Sequence, residues 1–191
     1  MSPLVRQPLT VEHALLGFLH ERPMHGYEIY QRLAGLAGLG LAWQVKQSHL
    51  YAMLDKLESE GYIAGRQQAQ DTRPPRRIFR LTGAGRKALR DWLSRPVSHG
   101  REIRLEFIAK LFFARREGPE WVNKLIAGQR DECAGWRDKL LVQAAASPGR
   151  GSFEWLVYQF RVRQVESMLE WLDLCTAPRT EPGAQGGPDV S

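Results

Sequence analysis

Two cysteines, Cys133 and Cys175, stand alone among 191 residues, and they form no CxxC pair. The five histidines (positions 13, 20, 25, 49 and 99) are scattered, with neither zinc-finger spacing nor an HExxH pair. That excludes a disulfide framework and gives no zinc-ligand pattern. Both cysteines fall in stretches of helical periodicity, where the expected state is a buried thiol packed as a small hydrophobe. GxSxG, P-loop and GxGxxG patterns are missing too, so no nucleophile, phosphate cradle or dinucleotide turn is visible. The expectation is a protein that is not an enzyme and needs no cofactor and no metal. No apolar run reaches the roughly 18–20 residues of a membrane span, and Met1–Pro8 lacks the apolar stretch of a signal peptide. A cytoplasmic protein without a membrane partner is expected.

What is present is an uneven charge. The net formal charge is +6. Residues 1–100 hold 14 Lys/Arg against 8 Asp/Glu, whereas residues 101–191 hold 13 of each, so the whole excess lies in the first half. From Arg66 to Arg95 nine basic residues face only Asp71 and Asp91. Basic charge gathered at one end of a chain points to a polyanionic partner.

The apolar spacing divides the chain. Val11, Ala14, Leu15, Phe18 and Leu19 lie on one helical stripe, with Thr10 as the expected N-cap and Pro23 as the stop. A second helix is expected from about Met24, with Tyr30, Leu33, Ala34 and Ala37 on one stripe, ending at glycines 35, 38 and 40. A third is expected over Gln47–Glu60, with Leu50, Met53, Leu54 and Leu57 as its apolar face and Gly61 past its end. The period then shortens. Tyr62–Gln67 and Arg76–Leu81 read as two strands, the second with Phe79 and Leu81 on one face, joined by a polar loop ending in Pro74-Pro75. Thr82 caps a further helix with Ala88, Leu89, Trp92 and Leu93 inward and Pro96 as its stop. Three helices, a hairpin and a helix make a winged helix-turn-helix.

Beyond a linker at Pro96–Arg101, three more helices are expected: Ile103–Arg116, Pro119–Ala146 and Ser152–Cys175. The middle one carries Val122, Ile126, Gln129, Cys133, Trp136 and Leu140 at heptad-like spacing, the last Trp155, Tyr158, Val162, Val165, Leu169 and Leu172. Such seams close an intramolecular bundle or pair two subunits. Three helices on a small head have little else to bury against, which favours a second copy. The fold class is thus mainly α: a winged helix-turn-helix over residues 1–95, a C-terminal helical dimerisation domain over 96–176, and a disordered tail over 177–191 with no periodicity.

In a helix-turn-helix the N-terminal residues of the recognition helix enter the major groove. Here those are Lys46, Gln47, Ser48 and His49, with Tyr51 one turn on. Gln and His can bond base edges, while Lys, Ser and Tyr can reach phosphate. Arg66, Arg73, Arg76 and Arg77 flank the proline-stiffened wing, and a guanidinium suits phosphates or a narrow minor groove. His25 and Tyr27, opening the second helix, complete the phosphate-contact set. For dimerisation the expected residues are Ile108, Leu111 and Phe112 with Trp155, Tyr158, Val162, Val165, Leu169 and Leu172. The aromatic excess among the C-terminal helices (Trp121, Trp136, Trp155 and Trp171, beside Tyr158 and Phe160) suits a slot for a planar aromatic effector, or alternatively plain core.

Three of these segments resemble a known family. Pro23-Met24-His25-Gly26-Tyr27-Glu28-Ile29 is similar to the "P-x-HGYEI" opening of the second helix in PadR-family regulators. Ser48-His49-Leu50-Tyr51, then Leu54, Leu57, Glu58, Glu60, Gly61 and Ile63, resembles their recognition helix. Arg73-Pro74, Arg76-Arg77, Phe79, Leu81-Thr82 and Gly85 resemble their wing and its exit. The likeness spans about residues 10–95. Arg90–Leu93 through Glu106–Phe113 is more loosely similar to the longer-tailed branch with virulence-activator-like helices. Two departures stand out: Phe79 where Tyr is commoner, and Gln47-Ser48-His49 in place of Pro-Gly-Ser. The resemblance implies a homodimer on an inverted repeat of double-stranded DNA, often a repressor released by a small aromatic compound.

Two other readings compete. A MarR-type sensor places dimer helices on both sides of its head, whereas only about nine residues precede the first helix here. A winged-helix protein-interaction module without DNA binding would carry a neutral helix tip and wing.

Overall fold

The computed structural model describes residues 12–35, 39–68 and 76–176. They fall into two compact units, the first ending at Gly135 and the second beginning at Trp136. Both are mainly helical, and the first also holds one small sheet.

Helix α1 (His13–Glu21) buries every residue from Ala14 to Leu19. One buried stripe is what its periodicity predicts. The helix is instead covered on several sides, by α5 (Gly83–Ser94), by strand β3 (Arg76–Leu81) and by α7 (Ile108–Glu117). Phe113 of α7 meets Phe18 edge-on at 5.2 Å, and its ring fills the space a Cβ on Gly17 would need. The chain beyond the expected linker therefore returns to close the head's own core. Thr10 and Val11 lie outside the described residues; the helix opens after Glu12. Arg22, next to Pro23, is extended, as a residue before proline tends to be.

Met24 and His25 do not begin the second helix. They form strand β1, antiparallel to β3 with Met24 opposite Phe79 and His25 opposite Ile78. Two residues are too few for alternation to show in a sequence. Helix α2 (Gly26–Gly35) then buries Ile29 and Leu33, while Ala34 of the expected stripe is exposed and Ala37 lies outside the described residues. A short α3 (Leu39–Ala42) follows, its Leu39 and the adjacent Trp43 buried. The neighbouring glycines give this stretch no helical signal in the sequence.

Helix α4 (Gln47–Ser59) buries Leu50, Met53, Leu54 and Leu57, the four residues its spacing predicts. Gly61 takes φ +77°, its N–H bonding the Glu58 carbonyl while the Tyr62 N–H bonds that of Leu57. This paired closure of a helix end needs a left-handed residue, which glycine supplies without Cβ strain. Strand β2 (Ile63–Gln68) pairs with β3 from Ile63–Leu81 to Gln68–Arg76, giving the sheet order β1-β3-β2. Phe79 and Leu81 are buried and Arg80 is exposed, as the two-residue period predicts. The expected wing tip at 69–75, including Arg73, lies outside the described residues. Thr82 caps α5 by accepting the Gly85 N–H at 3.0 Å, and Leu89, Trp92 and Leu93 complete the core.

The expected linker is anchored at Val97. Gln129 is fully buried and uses its amide to bond both the N–H and the carbonyl of Val97, at 2.7 and 3.2 Å. Helix α6 (Gly100–Glu102) runs into a π turn at Ile103–Phe107 and on into α7. Glu106, on the π turn, and Lys110, one turn later, are buried and paired at 3.1 Å. The Trp92 indole N–H donates to Glu106 at 3.0 Å, and Lys110 donates to the Arg95 carbonyl at 2.9 Å. Burial holds the Lys110 ammonium below the ordinary lysine range, partly offset by Glu106.

Helix α8 (Pro119–Ala145) buries Leu125, Ile126, Gln129, Cys133 and Leu140. Ser152 caps α9 (Phe153–Thr176) through the Trp155 N–H at 3.2 Å. Along α9, Val162, Val165, Leu172 and Cys175 are buried. Both cysteines are buried and neither forms a disulfide, and burial pushes the Cys133 thiol up, away from the reactive thiolate. No helix among the described residues is long and apolar enough to cross a membrane. Residues 177–191 lie outside the described residues.

Candidate nucleic-acid interface

The two faces of α4 have opposite character. Leu50, Met53, Leu54 and Leu57 seat it in the core, while Lys46, Gln47, Ser48 and His49 at its N-terminus are all exposed. Lys46 at the N-cap is extended and makes no side-chain cap. The first-turn N–H groups of α4 thus keep free valences beside four polar side chains, an arrangement suited to phosphate and base edges. Tyr51 is 38% exposed and Tyr27 is 52% exposed. Both tyrosines belong to one locality, because the Tyr51 ring occupies the space a Cβ on Gly26 would need, at 2.7 Å. Glycine at the start of α2 leaves the room that the Tyr51 ring of α4 occupies.

His25 is placed differently. Its Nδ1 sits 3.2 Å from the Arg77 carbonyl, so the ring ties β1 to the wing strand from the side opposite β2. On the wing itself, Arg66 and Arg76 are exposed. Arg77 is engaged: its guanidinium pairs with Glu58 and lies 3.5 Å from Asp55, both on α4, and it covers the Phe79 ring at 5.3 Å. Arg77 thereby offsets the negative charges of Asp55 and Glu58 on α4. Glu58 appears in the family-like motif, but nothing in its spacing marks it as the residue that joins helix to wing. A second ion-pair group, Arg22 and Arg32 with Glu28 and Glu21, and Arg116 with Glu21, links α1, α2 and α7 at the surface.

The remaining predicted residues divide by unit. In the first, Leu111 is buried, Ile108 half-buried, and Phe112 and Trp121 pack against the head's core. A cleft of about 330 Å³ in the same unit is lined by Tyr30, Leu33, Trp43, Gln44 and Val45, none of them among the residues expected to take an effector. In the second unit Val162, Val165 and Leu172 are buried, while Trp136, Trp155, Tyr158, Leu169 and Trp171 are half-buried. Its exposed apolar side chains are others: Leu141, Val142, Phe153, Leu156, Val157, Phe160 and Leu174. Among the described residues no group of His, Cys, Asp and Glu has the geometry of a metal site.

Residues 15–91, which contain β1, α2, α4 and the wing strands, match the model of the "Transcriptional regulator PadR-like family". Those residues form a PadR-like domain. Among its PadR relatives, the negative transcriptional regulator PadR of Bacillus subtilis is 27% identical over 175 residues, covering 86% of this chain and 94% of the relative. Two solved structures of B. subtilis PadR are also similar. One is in complex with operator DNA, at 24% identity, 88% and 98% coverage and a TM-score of 0.45. The other is in complex with p-coumaric acid, at 25% identity, 90% and 97% coverage and a TM-score of 0.41.

Proposed function

We propose that the chain is a homodimeric repressor that binds an inverted repeat in double-stranded DNA and is released by a small planar aromatic effector. The observation that carries the DNA reading is the exposed, uncapped tip of α4 (Lys46, Gln47, Ser48, His49), next to Tyr51 and Tyr27 and on the half of the chain that holds all the net positive charge. Repression is the role of its B. subtilis relative, carried here by likeness over most of both chains. Selection of bound duplexes from a random pool at several salt concentrations tests the reading. The expected product is a palindrome with half-sites one helical turn, about 10 base pairs, or a multiple apart. Recovery of no sequence, with no retarded species at low salt, overturns it. Arg76→Ala is expected to weaken all duplexes alike and to reduce the salt slope by about 0.9, the loss of one phosphate contact.

The dimer reading is supported by a stripe on α9. Phe153, Leu156, Val157 and Phe160 follow i, i+3, i+4, i+7 spacing and are exposed, Phe153 to 81% and Phe160 to 63%. A second copy of the same stripe can cover it. Changing Leu156 and Phe160 together to Asp is expected to give a helical monomer in sedimentation, whereas Val165→Asp, at a buried position, is expected to unfold the second unit. A double variant that sediments as a dimer overturns the stripe. Rings half-buried in the second unit (Trp136, Trp155, Trp171) support the effector reading, and quenching of tryptophan fluorescence by planar aromatics, followed by operator titration, tests it.

A further inference from the structure

We propose that Glu58 and Arg77 form a clamp that sets the wing against the recognition helix, and that Arg77 acts on DNA binding through this clamp and not by touching phosphate. The inference rests on the DNA-binding reading above. Glu58 lies on the last turn of α4, and each of its carboxylate oxygens holds a different wing strand. One accepts the Gly65 N–H of β2 at 2.8 Å. The other accepts from the Arg77 guanidinium of β3. Strand β2 is an edge of the sheet, so its outward N–H groups lack a strand partner, and Glu58 supplies one.

Three further contacts show that Arg77 has a fixed seat. A Cβ on Gly65 would lie 2.5 Å from Arg77 Nε and 3.0 Å from Glu58 Oε1, so the guanidinium reaches the carboxylate through space that only glycine leaves open. The Arg77 guanidinium lies over the ring of Phe79, a core residue. His25 holds the Arg77 backbone from β1. With Asp55 3.5 Å away as a second anion, the positive charge of Arg77 is matched by α4 itself. A partly exposed ion pair of this kind contributes little to folding. Its consequence is geometric: the angle between α4 and the hairpin decides whether Arg66 and Arg76 reach the backbone while Gln47 and His49 sit in the groove.

The test uses the full chain and its selected duplex, titrated by fluorescence anisotropy across a salt series. Arg77→Met is expected to weaken binding about tenfold with the salt slope unchanged, and Arg77→Lys to recover most of the loss. Glu58→Gln keeps an acceptor for Gly65 but loses the charge, and it is also expected to weaken binding. The double variant is expected to match the worse single one, since both changes break one device. If Arg77 instead contacts phosphate, Arg77→Met lowers the slope by about 0.9, and Glu58→Gln tightens binding because a negative charge has left the interface. Either result overturns the clamp. Amide exchange at Gly65, followed by NMR without DNA, is expected to rise several-fold in Arg77→Met, and unchanged exchange also overturns it. A wild-type chain that binds no duplex overturns the DNA reading, leaving the exchange measurement to judge the clamp alone.

Discussion

Lys110→Ala is expected to lower the stability of the first unit by about 3–5 kcal/mol, the cost of leaving one member of a buried ion pair uncompensated. Lys110 and Glu106 are 2% and 7% exposed. Without the ammonium, Glu106 keeps only the Trp92 N–H, and the Arg95 carbonyl loses its donor. Glu106→Ala is expected to cost a similar amount, since it strands Lys110 instead. Replacing both together, Glu106→Leu with Lys110→Met, is expected to cost clearly less than the sum of the two singles, because no uncompensated charge is left and only the Trp92 N–H and the Arg95 carbonyl lose partners. Chemical denaturation of the four proteins checks this, and a double variant as unstable as the sum of the singles sinks the paired reading. The pH dependence follows from the same burial. Lys110 titrates lower in the folded chain than in the unfolded one. Between those two values the unfolded chain binds more protons, so stability rises as pH climbs through the window toward about 10.4. Lys110→Met is expected to remove that alkaline rise.

The second large effect is expected at the tip of α4. Gln47→Ala and His49→Ala should each cost about 1–3 kcal/mol of discrimination between the selected operator and a duplex altered at one base pair. Both side chains are exposed on the first turn of a helix whose other face is fixed in the core by Leu50 and Leu54. Shortening them leaves the scaffold intact and removes only groups able to bond base edges. Affinity for an unrelated duplex, dominated by phosphate contacts, should barely change. Lys46→Ala provides the contrast, with a similar loss on every duplex and a shallower salt slope. Competition titrations against operator and scrambled duplex separate the two. If Gln47→Ala and His49→Ala weaken both duplexes equally, these residues touch backbone and the specificity resides elsewhere.

Much of this fold is legible in one dimension wherever an element buries one face and is long enough to repeat. Leu50, Met53, Leu54 and Leu57 recur at helical spacing, Phe79 and Leu81 at strand spacing, and Thr82 and Gly61 carry their end signals locally. The failures have the complementary cause. Met24–His25 is too short to show a period, and α3 sits among glycines that locally argue against a helix. Helix α1 buries its predicted stripe, and Leu16 and Gly17 besides, because α5, β3 and α7 cover it on several sides, which the spacing does not show.

For the candidate site the same division holds. The residue types alone determined that one half of the chain carries the positive charge and that a polar tip sits on an apolar-backed helix, because charge and periodicity are properties of order along the chain. Which arginine is available was decided only in three dimensions. Arg76 and Arg77 are neighbours of identical chemistry, yet the strand's alternation turns Arg77 onto Glu58 and Asp55 while Arg76 stays exposed. Helix α9 repeats the lesson. Its sequence carries two apolar stripes, and tertiary packing buries the one through Val162, Val165 and Leu172 while leaving Leu156 and Phe160 in solvent. Periodicity specifies that a helix has faces. Only the neighbours that cover them determine which face remains for a partner.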